Sequence, residues 1–175
     1  GELNQTFDTF NLEQSREHYL DRISNKTASL FIRATESGAI LNQAPARSVE
    51  ILREYGYNLG IAFQIVDDIL DFIGTEEELG KPVGSDLAQG TLTLLAMLLL
   101  QYYPEDNPIK RFFQSRGDLE NKNRVIELIR NSPIAQECCD IAANYGACQN
   151  LKLLPDNASR QVLMDVADYI VGRDR

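Results

Sequence analysis

The stretch Phe63-Gln64-Ile65-Val66-Asp67-Asp68-Ile69-Leu70-Asp71-Phe72 leaves this chain few ways to fold. At about 100° per residue, a helix through it collects Gln64, Asp67, Asp68 and Asp71 within an arc of about 100°. Apart from these four, every residue from Ile61 to Ile73 is apolar. A helix that is apolar over most of its circumference is stable only when other elements cover it. The segment is therefore expected inside an assembly of helices, with its carboxylates lining a cavity.

Carboxylates at i, i+1 and i+4 repel one another, and no Lys or Arg occurs between Arg53 and Lys81 to neutralise them. An all-oxygen donor set without His or Cys suits a hard cation. Magnesium takes one or two protein carboxylates and completes its octahedron with water and phosphate oxygens, so a magnesium-bound phosphate ester is the expected ligand. A solvated acidic face is the alternative reading of the same residues.

The charge balance points the same way. A formal net charge of -9 and a pI near 4.6 disfavour nucleic acid or an anionic membrane as partner, since both reward a basic footprint. With 175 residues and 43% hydrophobic content the chain can bury one substantial core. Residues 1-175 are expected to form a single domain or part of one. Cys138, Cys139 and Cys148 have no metal-ligand spacing with His18, the only histidine, and read as reduced thiols of a cytoplasmic protein. The longest apolar run, Leu94 to Leu100, falls well short of the roughly 18 residues of a membrane span. Gly1-Glu2-Leu3-Asn4-Gln5 carries neither Met nor an N-cap signal, so the chain is expected to be a piece of a longer one.

The order of elements reads as all-α. From about Asn11 to Asn42, Tyr19, Ile23, Leu30, Phe31, Ala34 and Leu41 recur at helical spacing and predict one long helix with those residues inward. Lys26 lies at the edge of that stripe and Thr27 within it, where an ammonium and a hydroxyl can meet one anion, or the lysine can simply snorkel. After Ala44-Pro45 comes the aspartate helix, on which Gly56 and Gly60 permit close approach of another helix or of a ligand. Residues 74 to 90 form a long turn-rich loop containing Lys81, and such loops are commonly functional. Further helices are predicted over Thr91-Tyr103, Ile109-Ser115, Asp118-Asn131, Pro133 to about Leu153, and Asn157-Val171. No segment alternates like a strand.

Phe63-Gln64 followed by Asp67-Asp68-Ile69-Leu70-Asp71 resembles the second aspartate-rich motif, DDxxD, of the trans-type isoprenyl diphosphate synthases. Gly80-Lys81-Pro82-Val83-Gly84-Ser85-Asp86-Leu87, continuing through Gly90 and Thr93-Leu94, looks like that family's GKPxGxDLxxGxxTLP segment, and Lys26-Thr27 matches its upstream Lys-Thr pair. DDxxD alone is shared with terpene cyclases, but three motifs in order and spacing are specific to the synthases. The resemblance spans nearly the whole chain, and only the family's C-terminal half.

It implies the C-terminal helices of an isoprenoid synthase fold, usually in homodimers. It also implies condensation of an allylic diphosphate with isopentenyl diphosphate, assisted by Mg²⁺. Carried over by position, Asp67 is the principal metal ligand, assisted by Asp68 and Asp71. Lys26, Thr27 and Lys81 contact the allylic diphosphate, Gln64 lies near the reacting centre, Phe63 walls the pocket, and Arg173 closes the site. Asp86 is expected to hold the loop. Two positions depart from the pattern. Leu95 replaces the motif's Pro, and Asp67-Asp68 is the only Asp-Asp pair, so the first aspartate motif and the basic residues for isopentenyl diphosphate lie outside this chain. Either those residues belong to a missing N-terminal half, or the chain is a non-catalytic, regulatory subunit with its partner elsewhere.

Overall fold

A computed structural model describes residues 9-172, and among them every regular element is helical. In chain order these are α1 (Arg16–Ile23), a π-helical turn (Ser24–Ala28), α2 (Ser29–Leu41), α3 (Ala46–Ile73), the single turns α4 (Glu76–Leu79) and α5 (Ser85–Ala88), α6 (Leu94–Tyr102), α7 (Pro108–Gln114), α8 (Leu119–Arg130), α9 (Ile134–Gly146), a 3-10 turn (Gln149–Leu153) and α10 (Ala158–Val171). The chain divides into two compact units. Among the described residues, one comprises 9–22 with Asp67–Cys139, the other Ile23–Val66 with 140–172.

The helix starts follow local chemistry. Asp118, Asn107 and Asn157 are N-caps whose side chains accept from the backbone N–H groups of Asn121, Ile109 and Arg160, at 3.1, 2.9 and 2.9 Å. Asn107 also donates to the carbonyls of Leu99 and Tyr103 at 3.0 and 2.9 Å, so one buried amide closes α6 and opens α7. α6 begins at Leu94 behind an extended Thr93, and Leu95, in place of the motif's proline, is a fully buried residue of its first turn.

Two expectations need correction. The helix expected from Pro133 to about Leu153 stops at Gly146, because Cys148 adopts a left-handed φ of 38° and the chain resumes as the 3-10 turn. The helix expected over 11-42 begins at Arg16, and Leu30, Ala34 and Leu41 are exposed rather than inward. The π-turn at Ser24–Ala28 is the reason. It adds one residue to a turn, so the wheel beyond it is displaced by about 100°. The inward stripe becomes Ala28, Phe31, Ile32, Thr35 and Ala39.

The second unit is centred on Tyr55, Leu59, Leu151, Ala167 and Ile170, with Phe31, Leu52, Phe63 and Leu163 packed around them. Gly56 and Gly60 serve close packing here. A Cβ at Gly56 would lie 2.5 Å from Thr35 Oγ1, and one at Gly60 would lie 2.4 Å from Ala28 Cα. Tyr55 donates its hydroxyl to the Leu163 carbonyl at 2.9 Å.

Burial pushes the Tyr55 phenol up to about 12 and the Cys148 thiol up to about 11, each with a smaller contribution from nearby negative charge. Both groups are neutral when protonated, so the folded state holds their protons where the unfolded chain has released them. Stability is therefore expected to fall as the pH rises through the unfolded thiol and phenol range, from about 8.5 to 10 and upward. A series of thermal midpoints between pH 7 and 11 measures this, and a flat profile would contradict it.

Candidate functional site

The last two turns of α3 carry Asp67, Asp68 and Asp71 into three different surroundings. Asp67 is exposed, whereas Asp68 and Asp71 are buried. The expectation that all three line a cavity together therefore does not describe Asp71, which is enclosed by the following loop.

That loop closes onto Asp71 through a series of local devices. Thr75 and Glu78 form a capping box that shapes α4, so one member of the acidic run Glu76-Glu77-Glu78 builds the turn. The T-x-x-E spacing was the available signal. Gly80 and Gly84 then take φ values of 64° and 67°, a region open to glycine at little cost. The chain is thereby turned back on the end of α3. Asp71 Oδ1 accepts the Ser85 hydroxyl at 2.8 Å, its Oδ2 accepts the Asp86 N–H at 3.1 Å, and its carbonyl accepts the Gly84 N–H at 2.7 Å.

Lys81 completes the arrangement, with its Nζ 3.0 Å from Asp71 Oδ1 and 3.7 Å from Asp86 Oδ1. Partial burial opposes its charge. The Asp71 hydrogen bond and the charges of Asp86, Asp71 and Asp67 outweigh burial and hold the ammonium above the ordinary lysine range. Its side chain stays 41% exposed, so an incoming anion can reach it. From α8, Arg130 donates to the carbonyls of Phe72 and Gly74 at 2.8 and 2.9 Å. A cation there satisfies carbonyls left open at the end of α3 and suits its dipole.

Asp68 is held from the other side. Its Oδ2 accepts the hydroxyl of Tyr19 at 2.9 Å, and Tyr19 is completely buried. Burial first, and then the charge of Asp68, push the Tyr19 phenol well above its usual range. The helical spacing marks Tyr19 only as a core position. A buried tyrosine needs a partner for its hydroxyl, but nothing in the sequence says which.

The second unit holds the other candidates. Thr27, in the π-turn, donates its hydroxyl to Gln64 Oε1 at 2.6 Å, and neighbouring Lys26 is exposed. The Phe63 and Phe31 rings lie 5.5 Å apart. Arg173 lies outside the described residues. The structure thus gathers Asp67, Asp68, Asp71 and Lys81 in one unit, and Lys26, Thr27, Phe63 and Gln64 in the other.

No three His, Cys, Asp or Glu side chains among the described residues are arranged to enclose a metal ion. Asp71 already receives an O–H, an N–H and an ammonium, which explains why it does not join such a group. Magnesium does not require a protein cage, since one or two carboxylates suffice when waters and phosphate oxygens supply the remaining positions. Exposed Asp67 beside Asp68 fits that demand. Asp71→Asn is expected to destabilise the protein by about 2 kcal/mol, because hydrogen bonds to a charged group are worth about 1.5-3 kcal/mol. Urea unfolding checks this, and an unchanged midpoint would contradict the anchoring role.

The polyprenyl synthetase family profile matches residues 1–129. This chain belongs to that family. Similar members include a prenyl transferase of Synechocystis sp., 39% identical over 99% of this chain and 54% of that protein. Another is heptaprenyl diphosphate synthase component 2 of Bacillus subtilis, 38% identical over 99% of this chain and 50% of the relative. Among solved structures, the heptaprenyl diphosphate synthase of Staphylococcus aureus superposes with a TM-score of 0.94 at 34% identity, covering 99% of this chain and 55% of that one. The fold is therefore that of the isoprenyl diphosphate synthases. The chain spans about half the length of the curated relatives it matches. No helix among the described residues is long and apolar enough to cross a membrane.

Proposed function

We propose that this chain is the C-terminal half of a trans-prenyltransferase that condenses an allylic diphosphate with isopentenyl diphosphate to extend a polyprenyl chain. The single observation that carries the reading is the exposed Asp67 beside a loop whose lysine is held, still accessible, against Asp71. A carboxylate that can take a divalent ion and an ammonium that can take a phosphate oxygen suit the two halves of a magnesium diphosphate. Membership of the polyprenyl synthetase family supports the same assignment.

Asp67 would be the principal magnesium ligand, with Asp68 assisting. Magnesium, when bound, supplies positive charge to the departing diphosphate. Lys81, fixed by the Asp71 loop, would donate to a diphosphate oxygen, and Lys26 and Thr27 would contact the allylic diphosphate. Gln64, already held by Thr27, orients beside the reacting carbon, and Phe63 presents an apolar wall that keeps water from the allylic cation. Arg173 closes over the bound substrate. Asp71 acts on the loop. The first aspartate motif and the isopentenyl diphosphate site would come from the N-terminal half, and the complete protein would act as a homodimer in the cytoplasm.

The test is an assay of the full-length protein with an allylic diphosphate, isopentenyl diphosphate and Mg²⁺. Chain-elongated diphosphate is the expected product, and its absence from correctly folded enzyme contradicts the reading. A second reading has support in one observation, that the Bacillus relative is called one component of its synthase. By that reading the full-length protein forms product only when a partner subunit is added.

A further inference from the structure

We propose that Tyr19 is a positioning residue for the metal-binding end of α3, fixing the Asp68 carboxylate so that it supports an ion held at Asp67. This rests on the functional reading above and adds to it a residue that none of the three sequence motifs contains. The geometry begins with a buried hydrogen bond. The Tyr19 hydroxyl donates to Asp68 Oδ2 at 2.9 Å across 49 residues of sequence, with both side chains buried.

Tyr19 is itself held. The Arg22 guanidinium lies over its ring, 5.5 Å from the centroid. Arg22 is pinned in turn, donating to Gln14 Oε1 and to the Leu92 carbonyl, each at 2.7 Å. A side chain fastened this way can dictate the rotamer of its partner. A cation over the ring face also makes the phenol a better donor by drawing on the same electron density.

The consequence falls on adjacent carboxylates. Asp67 and Asp68 are neighbours in sequence, and their charges repel. By drawing one Asp68 oxygen inward, Tyr19 keeps that carboxylate at a fixed position while exposed Asp67 remains outward. Hydrogen bonds of this kind orient metal-ligating carboxylates, and their loss commonly costs about 10-100-fold in metal affinity. A tyrosine kept only for packing would leave metal affinity alone when its hydroxyl is removed.

The test uses the full-length protein, Mn²⁺ as a spectroscopic probe and inorganic pyrophosphate as the co-ligand. Mn²⁺ dissociation constants are compared for wild type, Tyr19→Phe and Tyr55→Phe, together with thermal midpoints. Tyr55 also donates a buried hydroxyl, to the Leu163 carbonyl, but belongs to the other unit. Both Phe variants are expected to lose some thermal stability, and only Tyr19→Phe is expected to weaken Mn²⁺ by about tenfold or more. Arg22→Gln, which releases the tyrosine without touching its hydroxyl, is expected to shift affinity in the same direction. Wild-type affinity in both the Tyr19 and Arg22 variants would overturn the proposal, as would equal weakening by Tyr55→Phe. Failure of the wild type itself to bind Mn²⁺ with pyrophosphate would instead overturn the functional reading on which this rests.

Discussion

On the proposed function, Asp67→Ala in the full-length protein is expected to lower kcat by about a thousandfold at saturating Mg²⁺, with kcat/KM falling in parallel. A metal that stabilises charge on a leaving group contributes several kcal/mol to the transition state, and each 1.36 kcal/mol is about one decade in rate. Asp67 is the exposed member of the three aspartates, and Asp68 and Asp71 are buried against protein donors. Loss concentrated in kcat distinguishes transition-state assistance from simple substrate binding, which would raise KM alone. Glu77→Ala removes another exposed carboxylate, from the α4 turn, and is expected to leave turnover unchanged. Comparable rates for wild type and Asp67→Ala would remove this residue from the site.

The second large effect is steric and concerns Gly60. A Cβ added there would lie 2.4 Å from Ala28 Cα and 2.8 Å from Ala28 Cβ, and because the nearer atom is backbone, no rotamer change relieves the contact. Alanine in a helix interior ordinarily gains about 0.5-1 kcal/mol over glycine. Overpacking costs about 1-3 kcal/mol, so Gly60→Ala is expected to be a net loss. Gly38 supplies the opposite sign. Nothing lies within 4 Å of a Cβ at that position of α2, and Gly38→Ala is expected to stabilise. Ala28 follows Lys26 and Thr27 directly in the π-turn, so if these two bind the allylic diphosphate as proposed, Gly60→Ala is also expected to raise KM for it. Denaturant midpoints for the two variants, compared with wild type, measure the first effect and steady-state kinetics the second. A stabilised Gly60→Ala would show that the two helices separate freely.

The fold was legible where a residue's surroundings follow from its own neighbours in sequence. The aspartate helix declared itself because its apolar residues fill most of the wheel, and the N-caps at Asp118 and Asn157 sit where the periodic runs begin. The π-turn was not legible. A single wide turn leaves no mark in composition, and with it went the assignment of Leu30, Ala34 and Leu41 to the interior. The motif resemblance named Asp67, Asp68, Asp71 and Lys81 together, and the structure places them in one unit with the turns made at Gly80 and Gly84. Sequence could not reveal that Asp71 is held by Ser85, Asp86 and Lys81, since that depends on how far the loop folds back. Nor could it pair Tyr19 with Asp68, a contact made by tertiary packing alone.

The claim on which the account stands is that Asp67 and Lys81 serve one ligand, a diphosphate carrying a divalent ion. Calorimetric titration of the full-length protein with inorganic pyrophosphate, with and without Mg²⁺, addresses it most directly. The account predicts binding that depends on Mg²⁺ and weakens in both Asp67→Ala and Lys81→Ala. Equal affinity in the presence of a chelator, or a Lys81→Ala variant that binds as wild type does, would contradict it.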